Sequence, residues 1–357
     1  EYSGLSQDKG LEIPVKKVPQ KVSEDFVRHL PSKIRVSIGS AVVLGLVRGR
    51  MDVEPTTLYL LTYRRGKCSA NCGFCPQART STSRADMLSR VTWPEFPTQK
   101  VLSNIEVAVK KGVIKRVCIQ TLNYPTVFDD LLSLVKEIIS RVKVAISISC
   151  QPLDQGRMRR LAEAGVSRIG IPLDAATEAI FDKIKGRSAG GPYTWDKQRR
   201  ALEEAVQVFG KGSVSTHLIV GLGETEKETI QTIQWCVDRG IYPGMFSFTP
   251  VFGTALENLS QPSLSHYRRV QIAHHLITSG KTRCENMKFD EGGCVVDFGV
   301  SEEQVRQVIR SGKPFLTSGC PDCNRPYYNE KPGGPLYNYP RPPMPEEMFE
   351  IEKQIRA

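Results

Sequence analysis

The feature that most limits the possible folds of this 357-residue chain is a regular alternation of strand-like and helix-like segments. Apolar runs rich in β-branched residues alternate with amphipathic segments that have helical spacing. The predicted strands are residues 57–63, 116–120, 142–149, 167–173, 214–220, 245–250, 287–290 and 314–317. Such alternation is typical of parallel βα units. It predicts an α/β fold of the (β/α)8 TIM-barrel type, with the active site at the carboxyl ends of the strands.

Two segments of different character flank the predicted barrel, which spans residues 57–318. Residues 1–56 are predicted to form an extended arm followed by helical segments. Residues 319–357 are predicted to form an irregular tail, because Gly, Pro, Tyr and Asn dominate residues 326–343 and proline disfavours helix. A disordered linker is the alternative, but aromatic residues are scarce in disordered segments. Four tyrosines therefore favour packing of the tail onto the barrel: Tyr327, Tyr328, Tyr337 and Tyr339.

Composition is that of an ordinary globular protein, with 40% hydrophobic and 24% charged residues. No N-terminal segment resembles a signal peptide, and the longest apolar run, residues 41–47, is too short to span a bilayer. We therefore expect a cytoplasmic protein without membrane contact, whose ten cysteines serve metal chemistry rather than disulfides. The net charge of +11 favours an acidic partner. Nucleic acid is not expected, because the sequence has no RNA-binding motif or basic run with interleaved aromatics.

Three of the cysteines lie in one short loop directly after the first predicted strand. Cys68, Cys72 and Cys75 have the spacing C-x3-C-x2-C, with Phe74 just before the last of them. Three thiolates can hold three irons of a cubane cluster and leave the fourth iron open, whereas structural four-iron clusters and structural zinc sites normally have four protein ligands. The loop itself offers no fourth cysteine or histidine. Chance occurrence and an incomplete zinc knuckle are the alternatives.

This loop resembles the signature of the radical S-adenosylmethionine (SAM) enzymes. The resemblance implies a [4Fe–4S] cluster on Cys68, Cys72 and Cys75, which would then also be the catalytic residues. The open iron would bind SAM, and reduction would split SAM into methionine and a 5′-deoxyadenosyl radical that abstracts hydrogen from an unactivated C–H bond. The protein would position the cofactors and shield the radical.

Two strand ends are assigned to the SAM site by the same resemblance. Residues 219–225 closely resemble the adenine-side segment of biotin synthase, which assigns Gly221, Gly223 and Glu224 to SAM binding. Glycine allows the backbone to approach a flat nucleobase closely, although a glycine-rich strand end can also be a simple turn. Asp174 would accept hydrogen bonds from the ribose hydroxyls. The alternative of similar weight is a helix N-cap, and both roles can hold.

Three further side chains complete the SAM site that the resemblance implies. Arg187 is a candidate for the SAM carboxylate, because a planar guanidinium suits a carboxylate. An ordinary surface position is the open alternative for this arginine. Phe74 and Val251 are candidates for packing near the adenine.

A second group of cysteines indicates a second [4Fe–4S] cluster. Cys320 and Cys323 follow the eighth predicted strand and Cys294 follows the seventh, so all three are expected at the same rim as the first cysteine loop. Three such thiolates can hold a cluster, with Ser318, Cys284 or the substrate as the fourth ligand. A zinc site in the tail is the competing interpretation, and it would need two more ligands.

Two more cysteines lie on the second and third predicted strands, where biotin synthase holds a second cluster inside its barrel. They are Cys118 and Cys150. The third such position is Ser215 in this chain, which departs from the biotin synthase pattern. We therefore interpret Cys118 and Cys150 as small buried apolar residues.

A second cluster that faces the SAM site indicates sulfur insertion, the reaction in which lipoyl synthase supplies cluster sulfur to an octanoyl chain on a carrier protein. The chain resembles the two-protein lipoyl synthases of archaea and some bacteria, most closely at residues 63–79, 219–225 and 319–330. The resemblance implies a radical SAM sulfurtransferase of lipoate biosynthesis, one subunit of a lipoyl synthase. Its partners would be an octanoylated lipoyl carrier protein or domain, a paralogous lipoyl synthase subunit and a reducing protein such as ferredoxin.

Two other functions are open on the sequence. One is a biotin-synthase-like or methyl-transferring radical SAM enzyme that acts on a small molecule. The other is a non-catalytic iron–sulfur protein, which would need neither the glycine-rich segment nor Asp174. The basic net charge favours the lipoyl synthase interpretation, because lipoyl carrier domains are generally acidic.

Overall fold

An eight-stranded sheet forms the centre of the computed structural model, which describes residues 30–330 and 333–356. Six neighbouring strands are parallel and follow each other in chain order: β2 (Thr57–Thr62), β6 (Arg116–Gln120), β7 (Ala145–Ser149), β8 (Val166–Gly170), β9 (Val214–Val220) and β10 (Ile241–Ser247). Beyond β2 lie β1 (Lys33–Val36) and β5 (Glu95–Pro97), each antiparallel to its neighbour. The predicted α/β fold of alternating parallel strands and helices is confirmed.

Helices cover the outside of the sheet, and the largest apolar cluster packs several of them against the strands. The described helices are α1 (Ile38–Val43), α2 (Thr98–Lys110), α3 (Val127–Arg141), α4 (Gln155–Glu163), α5 (Glu178–Ile184), α6 (Trp195–Phe209), α7 (Glu226–Asp238), α8 (Leu264–Thr278), α9 (Glu302–Arg310) and α10 (Pro345–Arg356), with 3-10 turns at Cys284–Asn286 and Lys313–Phe315. None of the helices in the described ranges is both long and apolar enough to cross a membrane. Most of the predicted N-terminal arm, residues 1–29, lies outside the described residues.

Two small two-stranded sheets lie apart from the central one. They are formed by β3 (Met87–Leu88) with β4 (Val91–Thr92), and by β11 (Lys288–Phe289) with β12 (Val295–Asp297). Both pairs are antiparallel, which is the arrangement that a short connection allows.

The last two predicted strands do not join the central sheet. Residues 287–290 supply only β11, and residues 314–317 form a 3-10 turn followed by a single bridge from Leu316 to Tyr339. The sheet still has eight strands, because β1 and β5 are added at its other edge, beyond β2. A segment of only four residues fits a strand or a turn equally well, so tertiary packing decides between them. In β1 that packing is strong, since Ile34 is buried beside β2.

Residues 316–330, which include the beginning of the tail, close the side of the barrel between β10 and β2. Ser318 Oγ accepts a hydrogen bond from the Met245 N–H in β10 (2.7 Å). On the other side, Asn324 Oδ1 accepts a hydrogen bond from the Thr56 N–H, immediately before β2 (3.1 Å). The tail therefore occupies the gap in which the seventh and eighth strands were predicted.

Arg268 in α8 anchors the remainder of the tail. Its fully buried guanidinium donates hydrogen bonds to the Tyr337 carbonyl (2.7 Å), to Gln271 Oε1 (2.7 Å) and to the Leu336 carbonyl. It also lies 5.6 Å from the ring centroid of Tyr339. The tail tyrosines at positions 337 and 339 are thus buried against the barrel, as the sequence predicts.

Replacing Arg268 by methionine is expected to lower the free energy of unfolding by about 3 kcal/mol, because the Leu336 carbonyl and Gln271 Oε1 would lose the hydrogen-bond donor that they have in Arg268. Urea unfolding followed by circular dichroism under anaerobic conditions measures this. The matched control is Arg310→Met at an exposed position of α9, expected to change stability by less than about 0.5 kcal/mol. Equal effects of the two changes would contradict the anchoring role.

Candidate functional site

The barrel encloses a cavity of about 230 Å³. Inward-facing residues of all six parallel strands line it, among them Cys118 on β6 and His217 on β9. Two segments outside the strands complete its wall, the cysteine loop at residues 68–75 and the tail at residues 319–329. The cavity therefore brings the cysteine loop and the tail cysteines into one enclosure.

The cysteine loop follows the carboxyl end of β2, and Cys68, Cys72 and Cys75 all line the cavity. The loop is fixed by its own backbone: the Cys68 N–H donates to the Gln77 carbonyl (2.9 Å) and the Cys75 N–H donates to the Cys72 carbonyl (3.0 Å). The sulfur of Cys68 accepts a hydrogen bond from the Asn123 N–H (3.0 Å). Burial raises the pKa of the Cys75 thiol to about 12 and also raises that of Cys72. Binding of a cation such as iron would therefore deprotonate these thiols.

Asp174 lies just after β8 at the wall of the same cavity. Its φ of +67° is rare for a residue other than glycine, and its N–H donates to the His217 carbonyl (2.7 Å). Residues in such sparsely populated backbone conformations cluster at functional sites. The alternative role as a helix N-cap is wrong, because α5 is capped by Thr177, whose side chain accepts the Ile180 N–H.

Lys185 is the partner of Asp174, and the sequence analysis did not identify it. Its ammonium group is fully buried and lies 2.7 Å from Asp174 Oδ2. It also donates to the Pro172 carbonyl and lies 5.4 Å from the ring centroid of Tyr193. A lysine at the end of an amphipathic helix normally reaches solvent, so the sequence carried no signal for this buried position.

The glycine-rich segment forms a compact turn after β9. Its two glycines have φ of +107° at Gly221 and +112° at Gly223. A Cβ atom on Gly221 would lie 2.6 Å from the Pro262 side chain, so this position has no room for a larger residue. The carboxylate of Glu224 accepts hydrogen bonds from the N–H groups of Gly221 (2.5 Å) and Leu222 (2.9 Å). Glu224 therefore holds the turn in shape.

The remaining predicted SAM residues fall into two groups. Phe74 lines the cavity between two of the cysteines. Arg187 is exposed after α5, with its N–H bonded to Asp182 Oδ1 (2.9 Å), and it does not line the cavity. Val251 is buried after β10 and is also outside the lining. The structure thus brings Phe74 to the cysteine loop and places Arg187 on the surface.

The tail cysteines lie at the end of the cavity opposite to the predicted one. Cys320 and Cys323 line the cavity, but Asp322 between them pairs with Lys115 (3.2 Å), which immediately precedes β6. The hydroxyl of Thr56, which precedes β2, donates to the Asp322 carbonyl. These contacts place the pair at the amino ends of the strands. The prediction of a shared rim is wrong because it assumed an eighth parallel strand, which the chain does not form.

Cys294 does not join the tail cysteines. It lies at the start of β12, where its N–H donates to Asp290 Oδ1 (2.8 Å), and it does not line the cavity. The adjacent Gly293 packs against Thr225, the N-cap of α7. The predicted grouping of Cys294 with Cys320 and Cys323 is therefore wrong, because residues 287–290 form a peripheral hairpin.

Cys118, interpreted from the sequence as a small buried residue, lines the cavity. It is the register partner of Tyr59 on β2, and the Tyr59 hydroxyl lies 3.1 Å from Cys323 Sγ. Cys118 and Cys323 pack against the same apolar cluster, which contains Tyr59 and Leu61. Cys118 thus faces the tail cysteines across the cavity rather than serving only as a core residue.

Three charged or titratable side chains in the cavity wall were also missed by the sequence analysis. Burial lowers the pKa of His217 to about 4, so its imidazole is neutral near pH 7. The guanidinium of Arg325 lies 3.9 Å from the ring centroid of Phe246, and Arg168 has a buried Nε without a hydrogen-bond partner. Period-two alternation along β8 and β9 places residues 168 and 217 on the inner face, and this signal was available in the sequence.

Comparison with known proteins shows what this chain is similar to. Residues 65–236 match the sequence model of the family described as the Radical SAM superfamily. The match includes the cysteine loop and the strands β6 to β9. Biotin synthase from Synechococcus elongatus is 25% identical over 232 residues, which cover 63% of this chain and 68% of that protein. Biotin synthase from Prochlorococcus marinus is 23% identical over 242 residues, which cover 66% and 67% of the two chains.

The fold of this chain is similar to that of one solved structure, HydG. The crystal structure of HydG, a maturase of the [FeFe]-hydrogenase, superposes with a TM-score of 0.50 at 13% identity, covering 63% of this chain and 50% of that one. Methylornithine synthase (PylB) has a TM-score of 0.47 at 15% identity, covering 76% of this chain and 84% of that one. The chain therefore spans about half the length of HydG.

A radical SAM domain implies a [4Fe–4S] cluster and SAM, and the cysteine loop has the donor set for that cluster. Three thiols on one ordered loop reach a cavity that also exposes Asp174. In the described part of the chain no three Cys, His, Asp or Glu side chains are placed to share a single metal ion, and this includes both groups of cysteines. Ligands of a four-iron cluster each bind a different iron, so they need not meet at one point.

Proposed function

We propose that this protein is a radical SAM sulfurtransferase, a lipoyl synthase subunit that adds sulfur from an auxiliary iron–sulfur cluster to an octanoyl chain on a carrier protein. One observation carries the proposal: a single barrel cavity is lined by the cysteine loop at one end and by Cys320 and Cys323 at the other. A substrate chain held between the two ends would have its C–H bonds near the first site and a sulfur source near the second.

The cysteine loop and the strand ends beside it would bind SAM and its cluster, each residue in a different role. Cys68, Cys72 and Cys75 would hold the SAM cluster, which when bound supplies reductive SAM cleavage and hydrogen abstraction. The carboxylate of Asp174 would accept hydrogen bonds from the ribose, and its ion pair with Lys185 (2.7 Å) supports this role because it fixes the orientation of the carboxylate. The carboxylate of Glu224 fixes the glycine turn beside the same strand ends.

The cavity wall supports the shielding that this chemistry requires. The tail covers the gap between β10 and β2 through Ser318 and Asn324, so bulk water is kept from that side of the barrel. Tyr328 and Phe246 pack together in the wall, with ring centroids 5.9 Å apart. Exclusion of water prevents side reactions of reactive intermediates.

An acidic carrier protein fits the charge of the chain. The net charge is +11, and a second groove of about 760 Å³ on the far side of Tyr59 and Tyr328 is lined by Arg48, Arg50 and Arg90. Complementary charge would steer an acidic octanoylated lipoyl carrier protein or domain to this face. A paralogous subunit for the other sulfur and a ferredoxin as electron donor complete the proposed set of partners.

A biotin-synthase-like enzyme acting on a small molecule is the second candidate. The curated relatives named above are biotin synthases, and both Cys118 and Cys150 line the cavity on neighbouring strands. Ser215 lies in the same wall where the biotin synthase pattern has a third cysteine. The two candidates therefore differ in substrate and in the ligands of the second cluster.

The proposal is tested with the reconstituted protein, SAM, a reductant and an octanoyl-lysine peptide under anaerobic conditions. We expect mass spectrometry to detect peptide that has gained sulfur, together with 5′-deoxyadenosine. The Cys320→Ser/Cys323→Ser variant should still cleave SAM but should transfer sulfur at least about 100-fold more slowly, because the sulfur source is lost. Sulfur transfer to dethiobiotin but not to the peptide would favour the second candidate, and undiminished transfer by the double variant would refute a sulfur source at the tail.

A further inference from the structure

We infer that the floor of the barrel cavity is an iron–sulfur site whose protein ligands are Cys118, Cys320 and Cys323. We call these three residues the floor site. The inference rests on the proposed sulfur insertion and identifies the residues that would hold its sulfur source. The floor site combines a strand cysteine with two tail cysteines, and Cys294 and Cys150 have no part in it.

The sheet register places Cys118 in a row of inward-facing side chains. Tyr59, Cys118, Ser147 and Arg168 are successive register partners on β2, β6, β7 and β8. All four line the cavity. The strands are held by their ladders of hydrogen bonds, so this row is a rigid wall against which a ligand can be positioned.

The tail presents its two cysteines to that wall as a fixed turn. The Cys323 N–H donates to the Cys320 carbonyl (3.0 Å), which closes the turn. Asp322 between them has a φ of +64° and is held from below by Lys115. The sulfur of Cys323 lies 3.1 Å from the Tyr59 hydroxyl, and Tyr59 is the register partner of Cys118. Cys323 thus contacts the register partner of the strand cysteine, and the same turn brings Cys320 to the cavity.

The charges around the floor site point to an anionic occupant. Arg325 follows the turn, and its guanidinium lies over the Phe246 ring, while Arg168 belongs to the row of Cys118. No ion pair of the described residues includes either arginine. The Nε atoms of Arg168 and Arg116 are buried without a hydrogen-bond partner. Arg168 and Arg325 are half-buried, and Arg325 also donates a hydrogen bond to the Ser318 carbonyl (3.1 Å). A cluster bound by three thiolates carries negative charge and would compensate the charge of both arginines.

The other cysteines near the cavity lack these features. Cys150 lies in the wall, but it packs with the apolar cluster between the sheet and the outer helices. Cys294 and Cys284 do not line the cavity, and the Cys284 N–H is bonded to Gln234 Oε1 (2.9 Å). Cys150 and Cys294 therefore serve as matched controls.

The test uses the full chain with Cys68, Cys72 and Cys75 replaced by alanine, so that any bound cluster belongs to the second site. After anaerobic reconstitution we expect about four irons and four sulfides per chain. Adding Cys118→Ser should reduce the iron to near zero, whereas adding Cys294→Ser or Cys150→Ser should leave it at about four. In the chain with an intact cysteine loop, Cys118→Ser should keep about four irons and a SAM-dependent change of the EPR spectrum, which shows that the variant is folded.

The midpoint potential of the second cluster tests the role of the nearby positive charge. Arg168→Met in the same triple-alanine background should make the midpoint potential of the remaining cluster more negative, because a positive charge beside the cluster favours its reduced form. An exposed change, Arg310→Met, should leave the midpoint potential unchanged. Equal potentials in the two variants would show that the cluster does not lie beside Arg168, which would overturn its location at the floor site.

The outcomes separate this inference from the proposed function. If Cys294→Ser empties the second site and Cys118→Ser does not, the floor site is refuted while sulfur insertion from a tail cluster stands. If the triple-alanine protein binds no iron, both the floor site and the sulfur-insertion proposal are refuted.

Discussion

Replacing Cys72 by alanine is expected to remove the SAM cluster and to lower SAM cleavage by at least about 10³-fold, because residues that act as one catalytic unit fail together. Cys72 is the central cysteine of the loop, it is only 8% exposed, and its carbonyl fixes Cys75. Iron analysis and 5′-deoxyadenosine formation measure the two effects.

The control for this change is Cys236→Ala, which truncates a buried cysteine of α7 that does not line the cavity. Iron content and SAM cleavage should stay within about twofold of the wild type, with a stability loss of about 1 kcal/mol. If the Cys72 variant kept a SAM-responsive cluster, the assignment of the loop would be in error.

Replacing Lys185 by methionine is expected to weaken SAM binding by about 10- to 100-fold, as is typical when the partner that orients a binding group is removed. Lys185 is fully buried and is 2.7 Å from Asp174 Oδ2. Without the ammonium group the carboxylate would be buried and unpaired, which would also lower the free energy of unfolding by about 3–5 kcal/mol. Calorimetric titration of the reconstituted protein with SAM, together with denaturant unfolding, measures both quantities.

A double variant separates orientation from simple destabilisation. Lys185→Met combined with Asp174→Asn removes both charges, so it should recover much of the lost stability without recovering SAM affinity. Lys183→Met, an exposed change on the same helix, should alter neither quantity. Wild-type SAM affinity in the Lys185 variant would show that the ion pair only supports the fold.

The first half of the fold and the cysteine loop were predictable because their signals are local. Each parallel strand from β2 to β10 is an apolar run followed by an amphipathic helix, and the three cysteines lie within one loop. Because consecutive βα units usually lie side by side in a sheet, the order of the strands in the sheet could be predicted from their order in the chain. In the structure Cys68, Cys72, Cys75 and Asp174 all line one cavity.

The second half was not predictable because its contacts are distant in the chain. The tail meets residues such as Thr56 and Tyr59 through hydrogen bonds of single side chains rather than through a strand ladder. No period in the sequence encodes such contacts. The predicted rim position of Cys320 and Cys323 is therefore wrong. Lys185 was missed for a related reason, since only the tertiary fold covers the end of α5.

The tail that closes the barrel has a consequence for the order in which the protein matures. The cysteine loop and the strands that carry it are made long before residues 316–330 emerge from the ribosome. Cofactor loading at the loop can begin on the nascent barrel, whereas the opposite end of the cavity does not exist until the tail has docked. Cofactor loading would then proceed from the cysteine loop to the opposite end of the barrel. A chain truncated before the tail would bind cofactor only at the cysteine loop, and its barrel would stay open between β10 and β2.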